Sequence, residues 1–201
     1  MVNTVTTRHG VAVREPSIIT KLFNHPLAAW LWLPIRVWLG WQWLQAGYHK
    51  VTNPAWMQTG AALKGFFLGA LKVGANGTPV IHYSWYSTFL KMLVDTQAYT
   101  WFAKLVAVGE LLVGVALILG IFTGFAAFFG GFMNWNYLMA GTVSVNPMFL
   151  IISVFLILAW KVSGYIGVDY FLVPQVGSLW SKKEETTAAV PGGLPKGANA
   201  R

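Results

Sequence analysis

Three stretches of this chain, Tyr99–Ile121, Phe125–Gly141 and Pro147–Gly167, are almost wholly apolar. Each approaches the ~20 helical residues that cross a hydrocarbon core of ~30 Å. A fourth, "LAAWLWLPIRVWLGWQWLQAGY" from Leu27 to Tyr48, joins them if Arg36 is tolerated inside it. Composition agrees: 56% hydrophobic, 15% aromatic and 10% charged residues lie outside the range of ordinary soluble domains. The pattern predicts an all-α fold, an integral membrane four-helix bundle over residues 27–172. Segment 1–26 precedes it, and the small, polar, Pro/Gly-rich tail 173–201 is expected to be disordered after about 181. Met1–His25 is polar and mixed in charge, so no secretory signal peptide is expected.

The net charge of +8 speaks to topology. Arg8, Arg14 and Lys21 precede the bundle, and Lys182, Lys183, Lys196 and Arg201 follow it. Four spans place both tails on one side, and the excess of cations there assigns it to the cytoplasm. The long connection 49–98 is then extracytoplasmic, with Lys50, Lys64, Lys72 and Lys91. Within it, "NPAWMQTGAALKGFFLGAL" and "HYSWYSTFLKMLVDT" have near-helical apolar spacing on either side of the turn-rich "KVGANGTP". Two short amphipathic interfacial helices are expected, with Trp56, Trp85, Tyr86, Tyr99 and Trp101 as an aromatic belt. At the start of the last span, "VNPMF" offers Asn146 as N-cap and Pro147 as first helical residue.

The chain has no cysteine, which excludes disulfides, dithiol chemistry, thiolate-bound clusters and covalent c-type haem. His9, His25, His49 and His82 fall outside the predicted helix centres, which argues against a bis-histidine haem. No metal is predicted. Any electron traffic needs a diffusible cofactor or a partner.

Arg36, Gly40, Trp43, Gly47 and Lys50 recur at intervals of four, three, four and three, so they share a helical face. Ala103, Ala107, Glu110, Gly114 and Leu117 repeat the rhythm on the second span; Gly130, Asn134, Tyr137 and Gly141 do so on the third, and Ser153, Ile157, Trp160, Gly164 and Gly167 on the fourth. Such small-and-polar stripes suit helix interfaces in lipid. Counted at ~1.5 Å per residue from the inner boundary, Arg36 lies at ~12 Å, Glu110 at ~16 Å, Asn134 at ~15 Å and Lys161 at ~9 Å. An unpaired charge at such depth costs ~2.5–3.5 kcal/mol or more, so an Arg36–Glu110 ion pair completed by Asn134 is expected. It either fixes helix register, or shapes a polar pocket for a quinone head group or relays a proton. Lys161 is expected to snorkel, and His49 and Lys50 to end the first helix as surface cations. Asn136 points about 200° away from Asn134, leaving "MNWNYL" to meet a partner or second copy.

The segments "RVWLGWQWLQAGYHKVTNP", "YTWFAKLVAVGELLVGVALILGIFTG", "AAFFGGFMNWNYLMAG" and "AWKVSGYIGVDYF" resemble the DoxX family over roughly Leu31–Leu172, in its branch similar to DoxD, the membrane subunit of thiosulfate:quinone oxidoreductase. The resemblance implies a four-helix membrane bundle in a prokaryotic plasma membrane, and carries functional positions onto Arg36, Gly47, Lys50, Glu110, Gly114 and Asn134. It implies a quinone-linked oxidoreductase subunit in which thiosulfate is joined to tetrathionate as quinone is reduced. Arg36 and Glu110 are then the catalytic candidates, with Trp43, Asn134 and Tyr137 beside them around the quinone. His49, Lys50 and Lys91 recruit the anion. The alternative is a noncatalytic scaffold or accessory subunit of a larger membrane redox complex. A protein partner or homo-oligomer is expected, and no nucleic acid.

Overall fold

The computed structural model describes residues 4–6, 12–14, 16–74 and 77–175. The tail expected to be disordered lies outside them. Apart from a short antiparallel ribbon, β1 (Thr4–Thr6) and β2 (Ala12–Arg14), with Val5 opposite Val13, the described elements are helical. In chain order these are α1 (Ser17–Asn24), a 3₁₀ turn (Pro26–Ala28), α2 (Ala29–Val51), α3 (Pro54–Met57), α4 (Ala61–Ala70), α5 (Ser84–Asp95), α6 (Tyr99–Leu119), α7 (Thr123–Met139), α8 (Asn146–Leu158) and α9 (Trp160–Ser163). Among the described residues one helix, α6, is long and apolar enough to cross a membrane.

Close approach of α2 and α6 organises the molecule. A Cβ added at Gly47 would overlap the backbone of Leu111, and one at Gly114 would overlap the backbone of Leu44. Backbones that touch in this way gain dispersion contacts which a larger residue would forbid. The two antiparallel helices therefore run in a fixed register, Gly47 level with Glu110 and Gly40 level with Leu117. The resulting core joins Leu39, Trp43, Val113 and Leu117 to Ala126 and Ala127 of α7 and Leu156 of α8. The predicted inward stripes of α2 and α6 are buried accordingly, with Lys50 at the half-exposed end.

The fourth stripe fails at Trp160, which is exposed. The chain leaves regular helix at Ala159 (φ −87°, ψ 15°), and α9 restarts with a different face inward, burying Val162 and Ser163. Helix α8 begins one residue earlier than expected, at Asn146, with Val145 as cap; the Asn146 amide instead donates to the carbonyl of Thr142 at 2.8 Å.

The long connection forms more than two interfacial helices. Asn53 caps α3 by accepting from Ala55 N at 2.9 Å, with Pro54 as its first residue. Helices α4 and α5 build a second core from Leu63, Phe67, Ile81, Tyr86, Leu90 and Leu93, closed against Ala103 of α6 and Ala140 after α7. Tyr86 is thus not part of an aromatic belt: its hydroxyl donates to the carbonyl of Asn136 at 2.9 Å, and burial pushes its pKa up to about 12. Trp85 stacks on Trp135 at 6.3 Å. The segment expected to meet a partner is therefore engaged, in part, by the chain's own cap.

Candidate functional site at the C-terminal end of α2

The buried polar stripe divides into two clusters, one at each end of α2. At the N-terminal end Arg36, 1% exposed, does not meet Glu110. Its Nη2 donates to the carbonyl of Ile166 at 2.9 Å, and Asp169 supplies opposing charge. The expected pair fails because α2 begins about two turns beyond the end of α6. Gly120, just past the last residue of α6, is level with Arg36, so a Cβ there would overlap the guanidinium. Depth counted from an assumed common boundary placed the two residues side by side; the register of the glycines separates them.

Segment 166–169 closes this end by capping both helices at the α6–α7 turn. Val168 N and Asp169 N donate to the carbonyls of Leu119 and Gly120 at 3.1 and 2.8 Å. In return, the Asp169 carboxylate accepts from Phe122 N at 2.6 Å and Thr123 N at 2.8 Å. Free carbonyls at one helix end and free N–H groups at the next are thereby satisfied together, which holds Phe122 at a positive φ of 44°. Asp169 carries this arrangement, and the stripe reasoning missed it. The available signal was an acid two residues after the last span, in a chain whose buried arginine needed a counter-charge.

At the other end of α2, Glu110 is 1% exposed and each carboxylate oxygen has a donor: Lys50 Nζ forms an ion pair with Oε2, and the Tyr137 hydroxyl donates to Oε1. The Lys50 ammonium also lies 5.1 Å from the ring centre of Trp56 and 5.7 Å from that of Tyr137, a favourable placement for a cation over π-faces. With its side chain 20% exposed, Lys50 links the buried carboxylate to the surface. Its place one turn beyond Gly47 explains its reach, since the closest helix approach brings the α2 backbone over Glu110 itself.

A cavity of about 290 Å³ opens beside this cluster, lined by Trp43, Lys50, Trp56, Phe66, Glu110, Asn134, Tyr137 and Phe149. Asn134 is fully buried, yet neither its amide nitrogen nor its oxygen has a partner; Trp43 Nε1 is likewise orphaned. A buried polar group left unpaired costs about 1–3 kcal/mol, and interiors satisfy nearly all of them. Gly130 makes room here, its added Cβ lying 3.0 Å from Trp43 Nε1. Unpartnered donors and an acceptor on residues that line an aromatic-walled space suit a site for a flat, polar-edged ligand.

The sequence candidates are thus sorted. Trp43, Lys50, Glu110, Asn134 and Tyr137 share one cavity, and Arg36 does not line it. His49 and Lys91 are exposed on α2 and α5, outside its lining. Trp56 and Phe66, contributed by the cap, complete the wall. Among the described residues no cluster of histidine and carboxylate side chains is arranged to hold a metal.

Comparison with known proteins gives one family. No curated protein and no solved structure matches the chain. Residues 31–143, more than half of the 201, match the DoxX family, and this span contains α2 from Leu31 onward, all of α6 and α7, and every member of the cavity cluster named above except Phe149. The chain belongs to the DoxX family of membrane proteins.

Proposed function

We propose that the chain crosses a prokaryotic plasma membrane four times, as α2, α6, α7 and the α8–α9 unit, and binds a quinone head group in the cavity beside Glu110. It serves as the DoxD-like membrane subunit of a quinone-linked oxidoreductase. The outward faces support the spans: Phe125, Phe128, Phe129 and Phe132 on α7, and Ile151, Val154, Phe155 and Leu158 on α8, are exposed apolar side chains. A water-facing bundle would place polar groups there. Both termini fall on the cytoplasmic side by the charge bias of the tails, so Lys50 faces the outer water.

The observation that carries the quinone reading is the pair of orphaned buried groups, Asn134 and Trp43 Nε1, on the wall that also holds Glu110 and Tyr137. A quinone supplies reversible two-electron, two-proton chemistry at two ring oxygens. Trp43 Nε1 and Asn134 Nδ2 are donors for those oxygens. Glu110 and the Tyr137 hydroxyl hold a proton within the cavity, and Lys50 connects that proton to the outer surface. Trp56, Phe66 and Phe149 exclude water from the ring. Arg36 has no part in this site.

In the same reading thiosulfate is the electron donor, drawn to the outer face by His49 and Lys91, while the charge of Lys50 is taken up by Glu110. A partner subunit completes the enzyme. The test is extraction and mass analysis of quinone from the purified protein, followed by thiosulfate-dependent quinone reduction with and without Glu110→Gln. Co-purified quinone with activity lost in the variant supports the reading. A quinone-free chain recovered stoichiometrically with a larger redox complex replaces it with the accessory-subunit role.

A further inference from the structure

The opposite end of the molecule carries a second, unrelated groove. Helix α1 folds back on the start of α2: Trp32 Nε1 donates to the carbonyl of Leu22 at 2.9 Å, and Phe23 packs on Trp32 and Phe155 at ring separations of 5.6 and 6.4 Å. These contacts fix one face of α1 and leave a groove of about 540 Å³ between it and the first turn of α2. Ile18, Leu22, Leu27 and Leu31 supply its apolar walls, and Lys21 and His25 its polar ones.

Both polar groups are donors. Lys21 has no ion pair among the described residues. His25 Nδ1 accepts from Leu27 N at 3.2 Å, so in the neutral ring the proton sits on Nε2. Among the described residues no carboxylate lines the groove. Two donors beside exposed aliphatic side chains, with no acid among the described residues, complement one ligand chemistry, a phosphate diester anion attached to hydrocarbon. A zwitterionic head group would bring an ammonium that finds no counter-charge there and is repelled by Lys21. Free phosphate would leave the apolar walls against water.

We propose that this groove seats the phosphate and first acyl carbons of an anionic phospholipid from the cytoplasmic leaflet, anchoring α1 along the membrane surface. The position of the groove at a bilayer surface rests on α2 crossing the membrane, as proposed above; the ligand does not depend on the quinone site.

The test is native mass spectrometry of the full chain in detergent, with phosphatidylglycerol, phosphatidylcholine or inorganic phosphate added. One phosphatidylglycerol per chain is expected, preferred over phosphatidylcholine by about fivefold, the scale of one lysine at an anionic surface. Lys21→Gln should remove the preference, and Lys161→Gln, on the same end, should leave it intact. Equal retention of the two lipids, an unchanged Lys21→Gln variant, or competition by inorganic phosphate overturns the proposal. The chain lacks cysteine, so Ser17→Cys and Thr52→Cys, one on either side of α2 and labelled in turn from outside intact cells, read its crossing separately.

Discussion

Arg36 and Glu110 are equally buried and stand on neighbouring helices, yet their surroundings differ in kind. Around Arg36 the glycine at 120 and the loop backbone at 166 fill the available space, so Nε and Nη1 stay buried without partners, and Asp169 is committed to two backbone N–H groups. Around Glu110 the charges are paired, but a cavity remains whose lining includes two polar side chains without partners. The first cluster is a clasp holding helix ends together. The second is built to receive something. A buried charge marks function only where packing leaves room beside it, because removing one member of a buried pair is costly in either setting.

Perturbing the clasp should have the largest effect. Gly120 has φ +69° and lies against Arg36, so Gly120→Val both strains the backbone and displaces the guanidinium. A loss of about 4 kcal/mol or more is expected, read as failure to recover folded protein or a collapse of the detergent melting temperature. Asp169→Ala strips two N–H groups of α7 of their acceptor and Arg36 of its counter-charge, and should cost about 3 kcal/mol. The protein that remains folded should bind its cavity ligand with unchanged affinity. Weakened binding in that variant would mean that the two ends are one functional unit.

Glu110→Gln should reverse this pattern. Lys50 is partly exposed and can turn to water, so the melting temperature should fall less than in Asp169→Ala. Quinone reduction should slow by roughly a hundredfold, the lower end of what a positioned proton-transfer group contributes, while affinity for a short-chain quinone, whose oxygens accept from Trp43 and Asn134, should change little. The smallest effects belong to His49→Ala and Lys91→Ala, at exposed positions outside the cavity. Stability should change by about 0.5 kcal/mol or less, and thiosulfate-dependent turnover should fall only at low donor concentration. A loss of quinone binding in either variant would extend the site onto the outer surface.

The helical stripes of α2 and α6 were legible from spacing alone, because a 3.6-residue period fixes which residues share a face. Axial register was not legible: it depends on where two glycines let backbones touch, and that moved the partner of Glu110 from Arg36 to Lys50, about four turns along α2. Lys50 ends an apolar run and so has the pattern of a surface cation, whereas the cap formed by α3 and α4 covers it. The cap itself hid its core behind an amphipathic pattern, since a face that meets lipid and one that meets another helix look alike in sequence. Asp169 escaped because its role is to bond backbone groups, which carry no residue signature.

The central claim is that the orphaned side chains beside Glu110 exist for a ligand, and Asn134→Leu tests it most directly. Leucine removes two unsatisfied buried polar atoms at similar volume, so stability should hold or rise by about 1 kcal/mol. Calorimetric titration of the purified chain with a short-chain benzoquinone should give one site per chain for the wild type and at least tenfold weaker binding for Asn134→Leu. A wild type that binds no quinone, or a variant that binds it equally well, would contradict the account.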